Sequence, residues 1–368
     1  MTISVPVNDL ERHNRPILNE LQEAAAAVVA SGWYILGPRV RQFEAGFAAF
    51  CGAPHCVGVG NGTDALELAL RAVGAGPGDH VAAVANAGGY GTAAILATGA
   101  EPRYVDVEPA GMSMDPRSLA AAITPRTRAV IVTHLYGYMA DMPSLLEAAG
   151  GLPVIEDCAQ AHGARLGGRH AGTWGAIGCF SFYPTKNLGA LGDGGALVCS
   201  DGELAARLGA LRQYGWTSKY TAGVPRGRNS RLDEMQAAIL LTKLPYLEGW
   251  NRRRREIAES YGKALTGLGL ELPPVCGTRS ATHLYVVRSP RRDALREALG
   301  ATGIGTDIHY PVPDHRQPAA VGHSWAAVSL PVTERCCREA LTLPCFPEMT
   351  GEEVRRVIDA VGAAAVRC

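Results

Sequence analysis

Short apolar runs alternate with helix-period segments through the first two thirds of the chain. The runs predict strands at Cys56–Gly60, His80–Asn86, Arg103–Val107, Ala129–Thr133, Pro153–Glu156, Ile177–Phe182 and Ala196–Ser200. Most are apolar almost throughout, as expected of strands covered on both faces. The segments Thr63–Val73, Thr92–Gly99, Pro116–Ile123 and Met142–Ala149 carry helical patterns between them. Gly74-Ala75-Gly76-Pro77-Gly78-Asp79 supplies a helix stop and a turn. This alternation predicts an α/β fold whose large domain holds a mainly parallel seven-stranded sheet between helices. From Leu232 to about Leu268 the pattern is helical, interrupted at Pro245. A strand at Thr282–Arg288 and helices at Arg292–Leu299 and Gly351–Val361 then predict a smaller α+β domain. The expected division is residues 1–245, an N-terminal arm with the large domain, and 246–368, the small one.

Composition narrows the functional classes. With 47% hydrophobic residues in 368, the chain can bury a large core. Its 35 basic and 35 acidic residues cancel, so no long-range field draws it to nucleic acid or an anionic membrane. Apolar stretches such as Ala24–Ala30 are far shorter than the roughly 20 residues of a membrane helix. The early charges Asp9, Glu11 and Arg12 do not fit a secretory pattern, so a cytoplasmic protein is expected. Ten cysteines include no CxxC pair and no histidine at ligand spacing, which predicts buried reduced thiols and no metal centre.

The chemistry concentrates in three segments. Phe180–Gly195 reads FSFYPTKNLGALGDGG, with Lys186 between a strand end and a glycine-rich run and no acidic neighbour before Asp193. Partial desolvation there lowers a lysine pKa from about 10.4 and favours Schiff-base chemistry. Asp157 ends the apolar strand Val154-Ile155-Glu156, at the edge where parallel sheets bind ligands; there it could hold a pyridine nitrogen protonated, or cap the next helix. Val57–Asp64 is a strand, a tight turn and a helix start, offering free N–H groups to a phosphate. Strand, phosphate seat, carboxylate and lysine together describe a fold-type-I pyridoxal-phosphate site.

With these segments in hand, the chain resembles the DegT/StrS-type sugar aminotransferases of the aspartate aminotransferase superfamily over nearly its whole length. The matching motifs are Asn61–Asp64, His134–Gly137, Glu156–Gly163, Ser181–Gly195, Asn229–Ala238, Ile308–Pro311 and His315–Pro318. The resemblance implies that Lys186 binds pyridoxal 5'-phosphate covalently and moves the proton. It implies that Asp157 meets the pyridine nitrogen and Gln160 the phenolic oxygen. Ser181 and the backbone at Gly62, Thr63 and Asp64 would hold the phosphate, joined by Asn229 from the other subunit of a homodimer. His309 and Tyr310 would approach the sugar nucleotide, though a packed strand end is an equal reading of that segment. The loop residues Lys219, Tyr220, Arg226 and Arg228 are further candidates for a substrate phosphate. The run Arg252–Arg255 instead reads as a solvated helix paired with Glu256 and Glu259.

Two departures from the resembled pattern stand out. Relatives place an aromatic or histidine side chain against the pyridine ring, where this chain has Gly88 in Asn86-Ala87-Gly88-Gly89-Tyr90. Tyr90 is then the candidate for covering the ring, the alternatives being substrate or a side chain from elsewhere. The other is Tyr138, where relatives carry a small amide or histidine. The stretch Thr185–Gly195, with Tyr214-Gly215 and Lys219-Tyr220, is similar to the branch that aminates C3 of dTDP-keto-6-deoxyhexoses. The expected reaction transfers the amino group of L-glutamate to such a nucleotide-linked 3-keto sugar. A 4-keto sugar or keto-cyclitol aminotransferase and a non-catalytic regulator are the alternatives. Retention of Lys186 argues against the dehydratase branch, which replaces that lysine.

Overall fold

The computed structural model describes residues 3–274 and 276–367. Its central sheet has seven strands: β1 (His55–Val59), β2 (His80–Val84), β3 (Glu101–Val105), β4 (Thr127–Thr133), β5 (Val154–Asp157), β6 (Ile177–Ser181) and β7 (Gly195–Cys199). Their order across the sheet is β1-β7-β6-β5-β4-β2-β3. Only β7 runs against its neighbours, β1 and β6; the other pairings are parallel. The expected mainly parallel seven-stranded sheet is therefore present. Predicted strand limits differ by a few residues. The run after Val84 leaves the sheet because Asn86 turns its amide to the Met112 carbonyl at 3.0 Å.

Both sheet faces are covered. One face packs Phe43, Phe47, Val130, Val132, Phe180 and Phe182 into one core, and the other packs Leu68, Leu70, Ile131 and Leu197 into a second. The alternation of Val130 and Val132 against Ile131 shows why the run is apolar throughout: successive side chains enter opposite cores.

The long helical region resolves into helix Glu234–Lys243, one 3-10 turn Leu244–Tyr246 holding Pro245, and helix Leu247–Leu265. The second helix joins two cores. Leu247 enters the sheet core, whereas Ile257, Tyr261 and Leu265 pack beneath the antiparallel pair β8 (Tyr285–Arg288) and β9 (Ala340–Leu343). Helices Arg292–Ala301 and Gly351–Arg367 complete this smaller unit. Val5, from the start of the chain, is buried in the same small core and bridges to Ile304. No helix among the described residues is long and apolar enough to cross a membrane.

Candidate active site

The carboxyl ends of β1, β5 and β6 converge on one cavity of about 670 Å³. Gly195 opens β7 opposite both Val59 and Ser181, so the ends of β1 and β6 are drawn to either side of a residue without a side chain. A Cβ on Gly195 would lie 2.4 Å from the Asn61 carbonyl, and one on Gly62 would lie 2.6 Å from Ser181 Cβ. The turn Asn61-Gly62-Thr63 is thereby pressed against Ser181, with the N-terminus of helix Gly62–Ala72 beginning there. Gly62, Thr63 and Ser181 line the cavity, a cradle suited to a phosphate at a helix N-terminus.

Asp157 and Lys186 line the same cavity. Asp157 accepts from Ala159 N at 3.1 Å and from Thr133 Oγ1 at 3.3 Å. The first bond closes a turn, since no helix follows β5, so the helix-cap alternative does not arise. Burial raises the Asp157 carboxyl above the usual aspartate range, opposed by the Ala159 bond and by the Lys186 charge. Lys186 follows β6 in a tight loop, where the Phe182 carbonyl accepts from the Ala190 N–H and the Phe182 N–H donates to the Gly194 carbonyl. Burial pushes the Lys186 ammonium down to about 8, against the pull of Asp157. Gln160 is fixed at both ends: its Oε1 accepts from Tyr136 N at 2.5 Å and its Nε2 donates to the Tyr310 hydroxyl at 3.2 Å. A phosphate cradle, a carboxylate and a depressed lysine in one space fit pyridoxal phosphate by shape and by donor chemistry.

Other expected residues fall in different places. His309, Tyr310 and Tyr90 line the cavity. Asp64 does not: its N–H goes to Asn61 Oδ1 at 2.8 Å and its carboxylate pairs with Arg228 at 3.2 Å. Arg228 also binds Glu67, and Arg226 is held by the carbonyls of Ala75 and Thr98, so neither guanidinium is offered to a substrate. Asn229 is exposed and outside the cavity. Lys219 and Tyr220 lie on an exposed hairpin, Trp216–Ser218 with Thr221–Ala222, also outside it. Tyr138 stacks with Arg279 and lines a separate small pocket, so its bulk does not narrow the main cavity.

The arginine run is not uniformly solvated. Arg253 pairs with Glu256 at 3.2 Å, but Arg254 is buried, donating to the carbonyls of His283 and Cys345 and lining the cavity. Helical period held the signal: Asn251, Arg254, Ile257, Tyr261 and Leu265 fall on one buried face. His283 was also missed. It lines the cavity with Nδ1 3.0 Å from Asn187 Oδ1, and nothing near it in sequence marks it. Among the described residues one trio has metal-like spacing, His134, Glu156 and Cys158. There Glu156 is already engaged by His134 and by the N–H groups of Gly172, Trp174 and Gly175, a structural clamp under β5.

Comparison with known proteins agrees with this geometry. Residues 16–362 match the DegT/DnrJ/EryC1/StrS aminotransferase family. The chain is 47% identical to a dTDP-3-amino-3,4,6-trideoxy-alpha-D-glucose transaminase of Streptomyces venezuelae, covering 100% of this chain and 97% of that one. The crystal structure of S. venezuelae DesV in complex with a ketimine intermediate superposes with a TM-score of 0.96 at 47% identity, covering 100% of both chains. NtdA from Bacillus subtilis, solved with bound cofactor PMP, matches with a TM-score of 0.93 at 30% identity, covering 100% of this chain and 86% of that one. This chain belongs to the DegT/DnrJ/EryC1/StrS aminotransferase family and is a pyridoxal-phosphate-dependent aminotransferase.

Proposed function

We propose that this enzyme transfers the amino group of L-glutamate to C3 of a dTDP-linked keto-6-deoxyhexose. The observation that carries the reading is Lys186, a lysine depressed to about 8 in the same cavity as Asp157 and the Gly62–Ser181 cradle. The C3 preference is supported by the Thr185–Gly195 stretch and by the 47% identical relative, whose name specifies a 3-amino sugar.

Bound pyridoxal phosphate supplies a carbonyl that condenses with amines and a ring that accepts electrons from the adjoining carbon. Lys186, which lines the cavity, would hold the cofactor through its Nζ, and the same amine, once free, would move the proton between the two reacting carbons. Asp157 would keep a proton on the ring nitrogen, and Gln160, fixed through the Tyr136 N–H, would meet the phenolic oxygen. Gly62, Thr63 and Ser181 would anchor the phosphate in the cavity that Lys186 also lines. Asn229, exposed and outside its own cavity, serves the site of a second copy, which makes the active unit a homodimer. The nine described cysteines are all free, in keeping with a reducing cytoplasm.

The test is a screen of the loaded enzyme with glutamate against dTDP- and UDP-linked 3-keto and 4-keto hexoses, followed by mass spectrometry. The expected product is a dTDP-3-amino-6-deoxyhexose, formed with 2-oxoglutarate. Turnover confined to 4-keto sugars would overturn the positional assignment, and no turnover with any sugar would overturn the reading as a whole.

A further inference from the structure

The loop after β2 has no side chain to lay against a cofactor ring at Gly88. Gly88 has φ +78°, a conformation that suits glycine and strains other residues. A Cβ built there would lie 2.8, 2.9 and 3.0 Å from Cε1, Cδ1 and Cζ of Tyr310. The space that a side chain at position 88 would enter is thus filled by an aromatic ring from the small unit of the fold.

We propose that Tyr310, and not Tyr90, is the aromatic residue that covers the cofactor ring, with Gly88 as the space that admits it. This rests on the pyridoxal-phosphate reading of the cavity. Tyr310 is held through its own hydroxyl and through its neighbour His309. Its hydroxyl accepts from Gln160 Nε2 at 3.2 Å, and Tyr136, which fixes Gln160 through its N–H, also donates its hydroxyl to the His309 carbonyl. His309 Nδ1 in turn lies 2.8 Å from Thr342 Oγ1 on β9. Tyr90 has no such anchorage. It opens helix Tyr90–Thr98, is 51% exposed, and meets Tyr310 only edge-on at 6.1 Å between centroids. A ring already fixed before binding loses little freedom when it stacks, whereas an exposed one must be ordered first. Tyr310 therefore belongs to the cofactor's surroundings, and Tyr90 lines the cavity without a fixed partner among the described residues.

The experiment compares full-length wild type with Tyr310→Leu, Tyr310→Phe and Tyr90→Leu. Each apoprotein is titrated with pyridoxal phosphate by fluorescence quenching, and the circular dichroism of the bound cofactor is recorded. Tyr310→Leu is expected to weaken binding by about 2- to 12-fold and to alter the dichroic band, as loss of one stacked aromatic does. Tyr310→Phe keeps the ring but gives up the bond from Gln160, so its loss of affinity should be smaller than that of Tyr310→Leu. Tyr90→Leu should bind as wild type does, and it decides the matter should Tyr310→Leu fail to fold. A Tyr90→Leu protein that takes the loss, or a folded Tyr310→Leu protein with wild-type affinity and band, would overturn the assignment. If wild type itself takes up no pyridoxal phosphate, the cofactor reading fails instead.

Discussion

A protonated amine cannot attack a carbonyl, so the environment of Lys186 sets when it can react. Burial depresses its ammonium to about 8, with the Asp157 charge pulling the other way. Covalent capture of pyridoxal phosphate by the apoprotein should accelerate as pH rises and level off above about pH 8, in stopped-flow absorbance. In Asp157→Asn, the lysine loses the neighbour that favours its charged form, so the same profile should move to lower pH. That variant should still fold and bind cofactor, yet its transamination rate should drop by about 10²-fold or more in single-turnover assays with glutamate. Lys186 and Asp157 were legible in the sequence because a strand-end carboxylate, a phosphate-seat turn and a lysine before a glycine-rich run occur together in one chain. His283 and Arg254 were not, because they reach the cavity through tertiary packing from the small unit.

Between elements, the decisive contact is the junction of β1, β6 and β7, where Gly62 and Gly195 let the strand ends close around one cradle. Gly62→Ala places a methyl group 2.6 Å from Ser181 Cβ and must push the turn away from β6. We expect a loss of about 1–3 kcal/mol in stability by thermal or urea unfolding. A weakened affinity for pyridoxal phosphate should accompany it, measured by equilibrium titration. The strands and helices themselves were largely readable, since a sheet buried on both faces leaves uninterrupted apolar runs, and Pro245 breaks its helix where proline must. Arg254 escaped because four successive arginines look like a solvated face, although only one of them falls on the Ile257–Tyr261 stripe. Arg226 and Arg228 escaped for the opposite reason: their partners Thr98, Asp64 and Glu67 lie more than a hundred residues away.

At the scale of the whole molecule, a single cavity draws on a sheet edge, on the small unit through His283, Tyr310 and Arg254, and on the N-terminal segment through Val7 and Asn8. Asn229 and the hairpin bearing Lys219 and Tyr220 stay outside it, facing solvent in one chain. If they complete the site of a second copy, co-expressed Lys186→Ala and Asn229→Ala chains should regain activity in mixed dimers, each parent being inactive alone. A fully active monomer in sedimentation would exclude that arrangement. The central claim is that Lys186 moves a proton at the carbon that gains the amino group, and that this carbon is C3. It can be read directly by incubating the enzyme and pyridoxal phosphate with a dTDP-3-amino-6-deoxyhexose and 2-oxoglutarate in D2O, following the C3 proton by NMR. The account predicts that the C3 signal is lost with wild type and retained with Lys186→Ala. Equal loss of that signal with the lysine variant, or exchange at C4 of a 4-amino sugar with C3 untouched, would contradict it.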